Sequence, residues 1–259
     1  REAALDEQLA RIERRGALPA GGFGDAVQDA LAEPMAELFE EYAKALAAWP
    51  TACPDEPLDI AAPDASLRLD DWLGGMRRSA DGARGRLLLQ SSGLLKGQSY
   101  RRDKLLPAWV AHLAGHLGGE SLTTVIVSKN GTVTLPPLPI EQALGCWAVL
   151  LDAWQQGLTR PLPLAAGCGF VWLGKGGRAD TPATHDAFDA ARAHYEDSDT
   201  DRGFRGERDG NPYLARAFAD FGALWCDGEF ARLADALLRP LDEALGAGKT
   251  GRAGKGDET

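Results

Sequence analysis

No stretch of this chain approaches the roughly twenty consecutive apolar residues that a membrane-spanning helix needs. The first residues also lack the basic-then-apolar pattern of a secretory leader. Cysteine is scarce. Cys53, Cys146, Cys168 and Cys226 stand far apart with no Cys-x-x-Cys pair, which excludes a disulfide framework or a zinc ribbon. They read as reduced, mostly buried thiols of a cytoplasmic protein. Cations are short as well: 28 Lys and Arg against 38 Asp and Glu leave a net charge of −10. That sum disfavours a free-standing DNA binder, because phosphate contacts need cations. Gly-x-Ser-x-Gly elbows and strand-linked Gly-x-Gly-x-x-Gly loops are missing too, so nucleophilic and cofactor chemistry have no visible foothold.

What is present describes an ordinary soluble globular chain, 259 residues long, 44% hydrophobic and 25% charged. It opens on Arg1 within a helical pattern, which predicts a piece of a longer protein. Charge is unevenly placed. Arg84, Arg86, Lys96, Arg101, Arg102 and Lys104 crowd residues 84–104. Asp180, Asp186, Asp189, Glu196, Asp197, Asp199 and Asp201 crowd residues 180–201. Such sidedness fits a surface with a DNA path on one part and a protein interface on another.

The apolar period predicts helices over 2–15, 25–49, 103–117, 140–157, 182–195, 212–222 and 228–245. In 25–49 the inward set is Val27, Leu31, Met35, Leu38, Phe39, Tyr42 and Leu46, with Pro34 expected to bend or restart the helix. In 140–157 the buried stripe is Ile140, Leu144, Trp147, Leu151 and Trp154. Strands are expected at 57–61, 66–73, 84–90, 122–128 and 132–135, the last two joined by a Lys129-Asn130-Gly131 hairpin turn. The stretch 158–181 reads as a Pro/Gly-rich connector, and 246–259 as a disordered Gly-rich tail. The whole is an α/β layered domain over 1–245 with no second domain boundary.

Three motif-like strings fail on chemistry. Gly248-Lys249-Thr250 lacks the glycine of a phosphate loop, Glu243 holding that position. His112 and His116 share a helix face at metal-ligand spacing, but Leu113 replaces the general-base Glu, so they read as plain helix histidines. Asp197–Asp201 resembles the start of a calcium loop, yet Arg202 and Arg208 occupy positions that require Gly and Glu. No metal site is expected. Trp109, Trp147 and Trp154 fall on helix stripes as core residues, whereas Trp72 beside Arg77 and Arg78 is open to stacking on a base.

Three strings carry more than generic physics: Gly16-Ala-Leu-Pro-Ala-Gly-Gly-Phe-Gly24, the run from Gly131 through Pro136, Pro137 and Pro139 to Leu158, and Arg205-Gly-Glu-Arg-Asp-Gly-Asn-Pro-Tyr213. In kind and order they resemble the C-terminal region of the RecC family, the gamma subunits of exodeoxyribonuclease V, over about residues 1–245. The resemblance implies a restriction-endonuclease-like (PD-(D/E)XK-type) small central sheet flanked by helices, with a degenerate active site. A working site of that kind pairs an acidic strand end with an acidic-x-Lys triplet on the next strand, and the carboxylates hold Mg²⁺. Here Asp70 stands for the first acid, but Leu89, Gln90 and Ser91 occupy the positions that the triplet would need. The resemblance therefore implies a non-catalytic domain of the RecBCD helicase-nuclease in double-strand break repair and recombination. It would guide split DNA strands and dock the RecD-like alpha subunit beside the RecB-like beta subunit, with ATP and Mg²⁺ belonging to those partners. Arg84, Arg86, Lys96, Arg101, Arg102 and Lys104 are the candidate phosphate contacts. The alternative is a metal-dependent exonuclease built on Asp70.

Overall fold

The computed structural model describes residues 11, 14–16, 21–61, 68–181, 185–198 and 205–250. Most of the expected first helix, the Leu18–Pro19 turn and the end of the tail lie outside them. The described part is mixed α/β, and its backbone falls into two compact units that alternate along the chain.

The first unit takes residues 1–54, 75–100 and 125–133. Its helix α1, Gly22–Ala48, passes through Pro34 without restarting. A five-stranded sheet runs in the order β1 (Thr51–Ala52), β4 (Met76–Arg78), β5 (Arg84–Gln90), β8 (Thr123–Ser128), β9 (Gly131–Leu135). β4 pairs antiparallel with both β1 and β5. Leu38 of α1 meets Leu87, Val125 and Val127 of the sheet, with Met35, Tyr42, Ala45, Leu46 and Trp49 packed around them. The three- and four-residue spacing of the helix members is what makes one face apolar.

Trp49 ends that stripe and decides a residue on β5. A Cβ at Gly85 would lie 2.3 Å from the indole, so only glycine lets the ring lie on the strand. Arg77 then donates to the carbonyls of Trp49 and Pro50, satisfying acceptors beyond the end of α1. The expected hairpin turn is present. Asn130 from it accepts from the Leu95 N–H and donates back to the Leu95 carbonyl, pinning the small hairpin of β6 (Leu95–Lys96) and β7 (Ser99–Tyr100).

The second unit takes residues 55–74, 101–124 and 134–259. It begins with an isolated antiparallel hairpin, β2 (Glu56–Ala61) with β3 (Arg68–Leu73). Helices follow: α2 (Leu106–His116) after a 3₁₀ turn, α3 (Ile140–Gly157), α4 (Ala166–Gly174), α5 (His185–Glu196) and α6 (Glu207–Gly210). Then come α7 (Pro212–Ala217), α8 (Phe221–Trp225), α9 (Glu229–Leu237) and α10 (Arg239–Thr250). Edge-to-face rings bind the bundle: Trp172 with Phe230 at 6.2 Å, Phe230 with Phe221 at 5.6 Å, Phe221 with Phe188 at 5.1 Å.

Several expectations change here. α4 sits in the stretch read as a connector. Cys168, Gly169, Phe170, Trp172 and Leu173 are all buried, so the helix is apolar nearly all round and shows no period. Its glycines mark close packing: a Cβ at Gly169 would meet Leu238 at 2.4 Å. The stripe of α3 is displaced. Ala143, Trp147 and Ala153 are buried, while Leu144 and Trp154 are about half exposed and Val149 and Leu158 are open too. The expected helix 212–222 splits where Asp220 caps α8, its carboxylate accepting from the Ala223 N–H at 2.7 Å. α10 runs to Thr250, past the start of the expected tail.

Candidate functional site

The strand ends are the place where the expected nuclease remnant should gather. They carry its parts on strands of different sheets. Asp70 lies on β3, exposed, directly opposite Asp59 in the two-stranded hairpin of the second unit. Leu89 and Gln90 end β5 in the sheet of the first unit, with Ser91 just beyond. The neighbour of β5 on that side is β4, so Asp70 does not stand on the strand that the remnant requires. Sequence adjacency of the two strands suggested otherwise because β4 is only three residues long. None of the five strands of the sheet carries an Asp or Glu, whereas β4 and β5 carry Arg77, Arg78, Arg84 and Arg86. A hard divalent cation has no carboxylate anchor on that sheet.

The six candidate phosphate contacts separate by burial. Arg84 is 8% exposed and so does not present its guanidinium to solvent. Arg86 is half-buried, and burial lowers its pKa from the usual guanidinium value. Arg102 is half-buried, paired with Asp242 at 2.8 Å and placed over the Phe170 ring at 5.9 Å. Lys96, Arg101 and Lys104 are exposed. Trp72, on β3, is 65% exposed and remains free to stack.

His112 and His116 turn out to organise the proline turn. Both are fully buried on α2. His112 stands 2.9 Å from Thr124 Oγ1 through Nδ1 and 3.1 Å from the Pro136 carbonyl through Nε2. A carbonyl only accepts, so Nε2 carries the proton there. His116 has the opposite tautomer: Nδ1 donates to the His112 carbonyl at 2.8 Å, and Nε2 accepts from the N–H groups of Leu122 (3.3 Å) and Leu138 (3.0 Å). The prolines cannot extend a ladder, and the two imidazoles partner the Pro136 carbonyl and the Leu138 N–H of that turn and the Leu122 N–H ahead of β8.

A third group was invisible in the sequence. Cys168 on α4, His194 on α5 and Glu207 on α6 bring their ligand atoms within 4.8 Å of one another. Cys168 is fully buried, and burial first, then the Glu207 charge, pushes its thiol far above the ordinary value. Glu207 accepts from the N–H groups of Gly167 (3.0 Å) and Cys168 (2.7 Å) in the first turn of α4. The three residues lie far apart along the chain, with no spacing signature to find. The cysteines are also less buried than expected: only Cys168 is buried, and Cys226 is exposed.

The family model described as the RecC C-terminal domain matches residues 1–177, stopping short of the Arg205–Tyr213 string. The RecBCD enzyme subunit RecC of Escherichia coli (strain K12) is 25% identical over 171 residues, which is 63% of this chain. The matched region is 13% of the length of that relative. With a match over more than half of its length, this chain belongs to the RecC C-terminal domain family.

Proposed function

We propose that this chain is a non-catalytic domain of a RecBCD-type helicase-nuclease acting in double-strand break repair and homologous recombination. The observation that carries the reading is a central sheet bearing four arginines and no carboxylate. Metal-assisted phosphodiester cleavage needs anionic ligands to hold Mg²⁺ and activate water. We take the sheet as the remnant of a restriction-endonuclease-like fold that has lost that set. Asp70 opposite Asp59, on a separate hairpin, gives the exonuclease alternative no support. Family membership supports a place within a multisubunit enzyme, in the cytoplasm, where ATP and Mg²⁺ serve the motor and nuclease partners.

Two roles follow within that reading. Exposed Lys96, Arg101 and Lys104 suit contact with the phosphates of split strands. The open apolar side chains Leu144, Val149 and Trp154 of α3, and Leu158 just beyond it, suit docking of the alpha (RecD-like) subunit. Two experiments test this. Linear DNA incubated with the chain in Mg²⁺ or Mn²⁺ stays intact; degradation that Asp70→Ala abolishes would replace the proposal with the exonuclease. Size-exclusion chromatography at moderate salt gives co-elution with the alpha subunit of the same organism. Trp154→Glu breaks that co-elution, and an unchanged profile for this variant moves the docking surface elsewhere.

A further inference from the structure

Cys168, His194 and Glu207 have a donor set that no strand-guiding or docking role uses. We propose that they form a binding site for one borderline-soft divalent metal ion of the Zn²⁺ class, ligated by the Cys168 sulfur, an imidazole nitrogen of His194 and a carboxylate oxygen of Glu207, with a fourth position for water.

The argument starts from geometry. Ligand atoms around tetrahedral zinc stand roughly 3.3–3.8 Å apart, as bond lengths of about 2.0–2.3 Å require. These three lie within 4.8 Å before any ion draws them in, so rotamer adjustment suffices. They come from three helices of one unit, α4, α5 and α6, and α5 packs against both of the others. Gly167 forms the floor. A Cβ there would lie 2.8 Å from Glu207 Oε2 and 2.8 Å from His194 Nε2, so glycine keeps the imidazole and the carboxylate together against the first turn of α4.

Charge points the same way. A thiolate and a carboxylate bring two negative charges, which one divalent ion neutralises, leaving a site that burial tolerates. Without the ion, the thiol keeps its proton; binding exchanges that proton for the metal, releasing one H⁺ for each thiolate–metal bond formed. The competing account makes Glu207 only a cap for α4, through its bonds from Gly167 and Cys168. Those bonds occupy one lone pair on each oxygen, and a carboxylate has about four such sites. They fit the second-shell pattern that orients metal-bound carboxylates.

The test uses the whole chain, stripped with a chelator and titrated with Co²⁺ and then Zn²⁺. The expected result is about one equivalent bound, with a thiolate-to-cobalt charge-transfer band, and about one proton released per ion. Cys168→Ser removes the band, and His194→Gln weakens Zn²⁺ binding by about tenfold or more. His185→Gln, exposed and elsewhere on α5, leaves both unchanged. The proposal falls if no stoichiometric ion binds. It falls also if the band survives in Cys168→Ser, since Cys53, Cys146 or Cys226 would then be its source. Should Cys168→Ser lose its fold by circular dichroism, His194→Gln decides: unchanged affinity overturns the site.

Discussion

Two groups of imidazole chemistry lie in the same unit, and they behave oppositely. His112 and His116 have the spacing of a metal site, yet each of their four ring nitrogens is held by backbone or by Thr124. Cys168, His194 and Glu207 have no recognisable spacing, yet their donor atoms converge. Regular spacing on one helix places side chains together but says nothing of whether their lone pairs are already engaged. The demand came from elsewhere: a proline turn that needed acceptors and donors took the spaced pair.

The sharpest way to break this contrast is His116→Leu. It leaves the buried N–H groups of Leu122 and Leu138 without their acceptor, at a cost of about 2–5 kcal/mol in urea unfolding. Zn²⁺ binding by the folded fraction stays unchanged. Gly167→Ala works in reverse. The added methyl pushes on the ends of His194 and Glu207, which yield, so stability falls by about 1 kcal/mol while Zn²⁺ affinity falls by at least about tenfold. Calorimetry of the folded variant reads both.

Tyr195, beside the cluster, gives a smaller effect. Its hydroxyl donates to the Phe218 carbonyl at 2.7 Å, and Tyr195→Phe costs about 1 kcal/mol. Burial raises its pKa to about 12 from 10.0. The folded state therefore holds this proton after the unfolded chain has lost it. Its contribution is complete below pH 10 and drains away as pH rises toward 12, so wild type shows a steeper alkaline loss of stability than Tyr195→Phe. Smallest is Arg101→Ala with Lys104→Ala: within about 0.5 kcal/mol of wild type in stability. In the assembled complex this pair lowers the salt dependence of DNA retention, and an unaltered salt slope would remove both residues from the DNA path.

Much of the fold was legible where local signals are strong. The helix at 140–157 and the hairpin around Asn130 lie where period and turn chemistry put them, because both depend on near neighbours. The illegible parts depended on distant ones. α4 hid because burial on every side erases a period, and its glycines, read as loop signals, serve close packing with Leu238. Which face of α3 turns inward also could not be read from spacing alone, so Trp154 was assigned to the core and lies open. For the site, the want of carboxylates was visible in the string after Arg86, whereas the placing of Asp70 on a different sheet from that string needed the strand order. Arg84 looked like a surface cation because charge says nothing of depth.

The alternation of the two units has a consequence for how the chain emerges during synthesis. The last segment of the first unit ends at Val133, so its sheet can close on α1 while much of the second unit is still unmade. The β2–β3 hairpin and α2 emerge earlier than the helices from Ile140 onward that complete their unit. At about 5–20 residues per second that interval lasts on the order of ten seconds. Throughout it, buried residues such as Trp109 and Leu113 are without the helices made later, and a chaperone has its longest opportunity there.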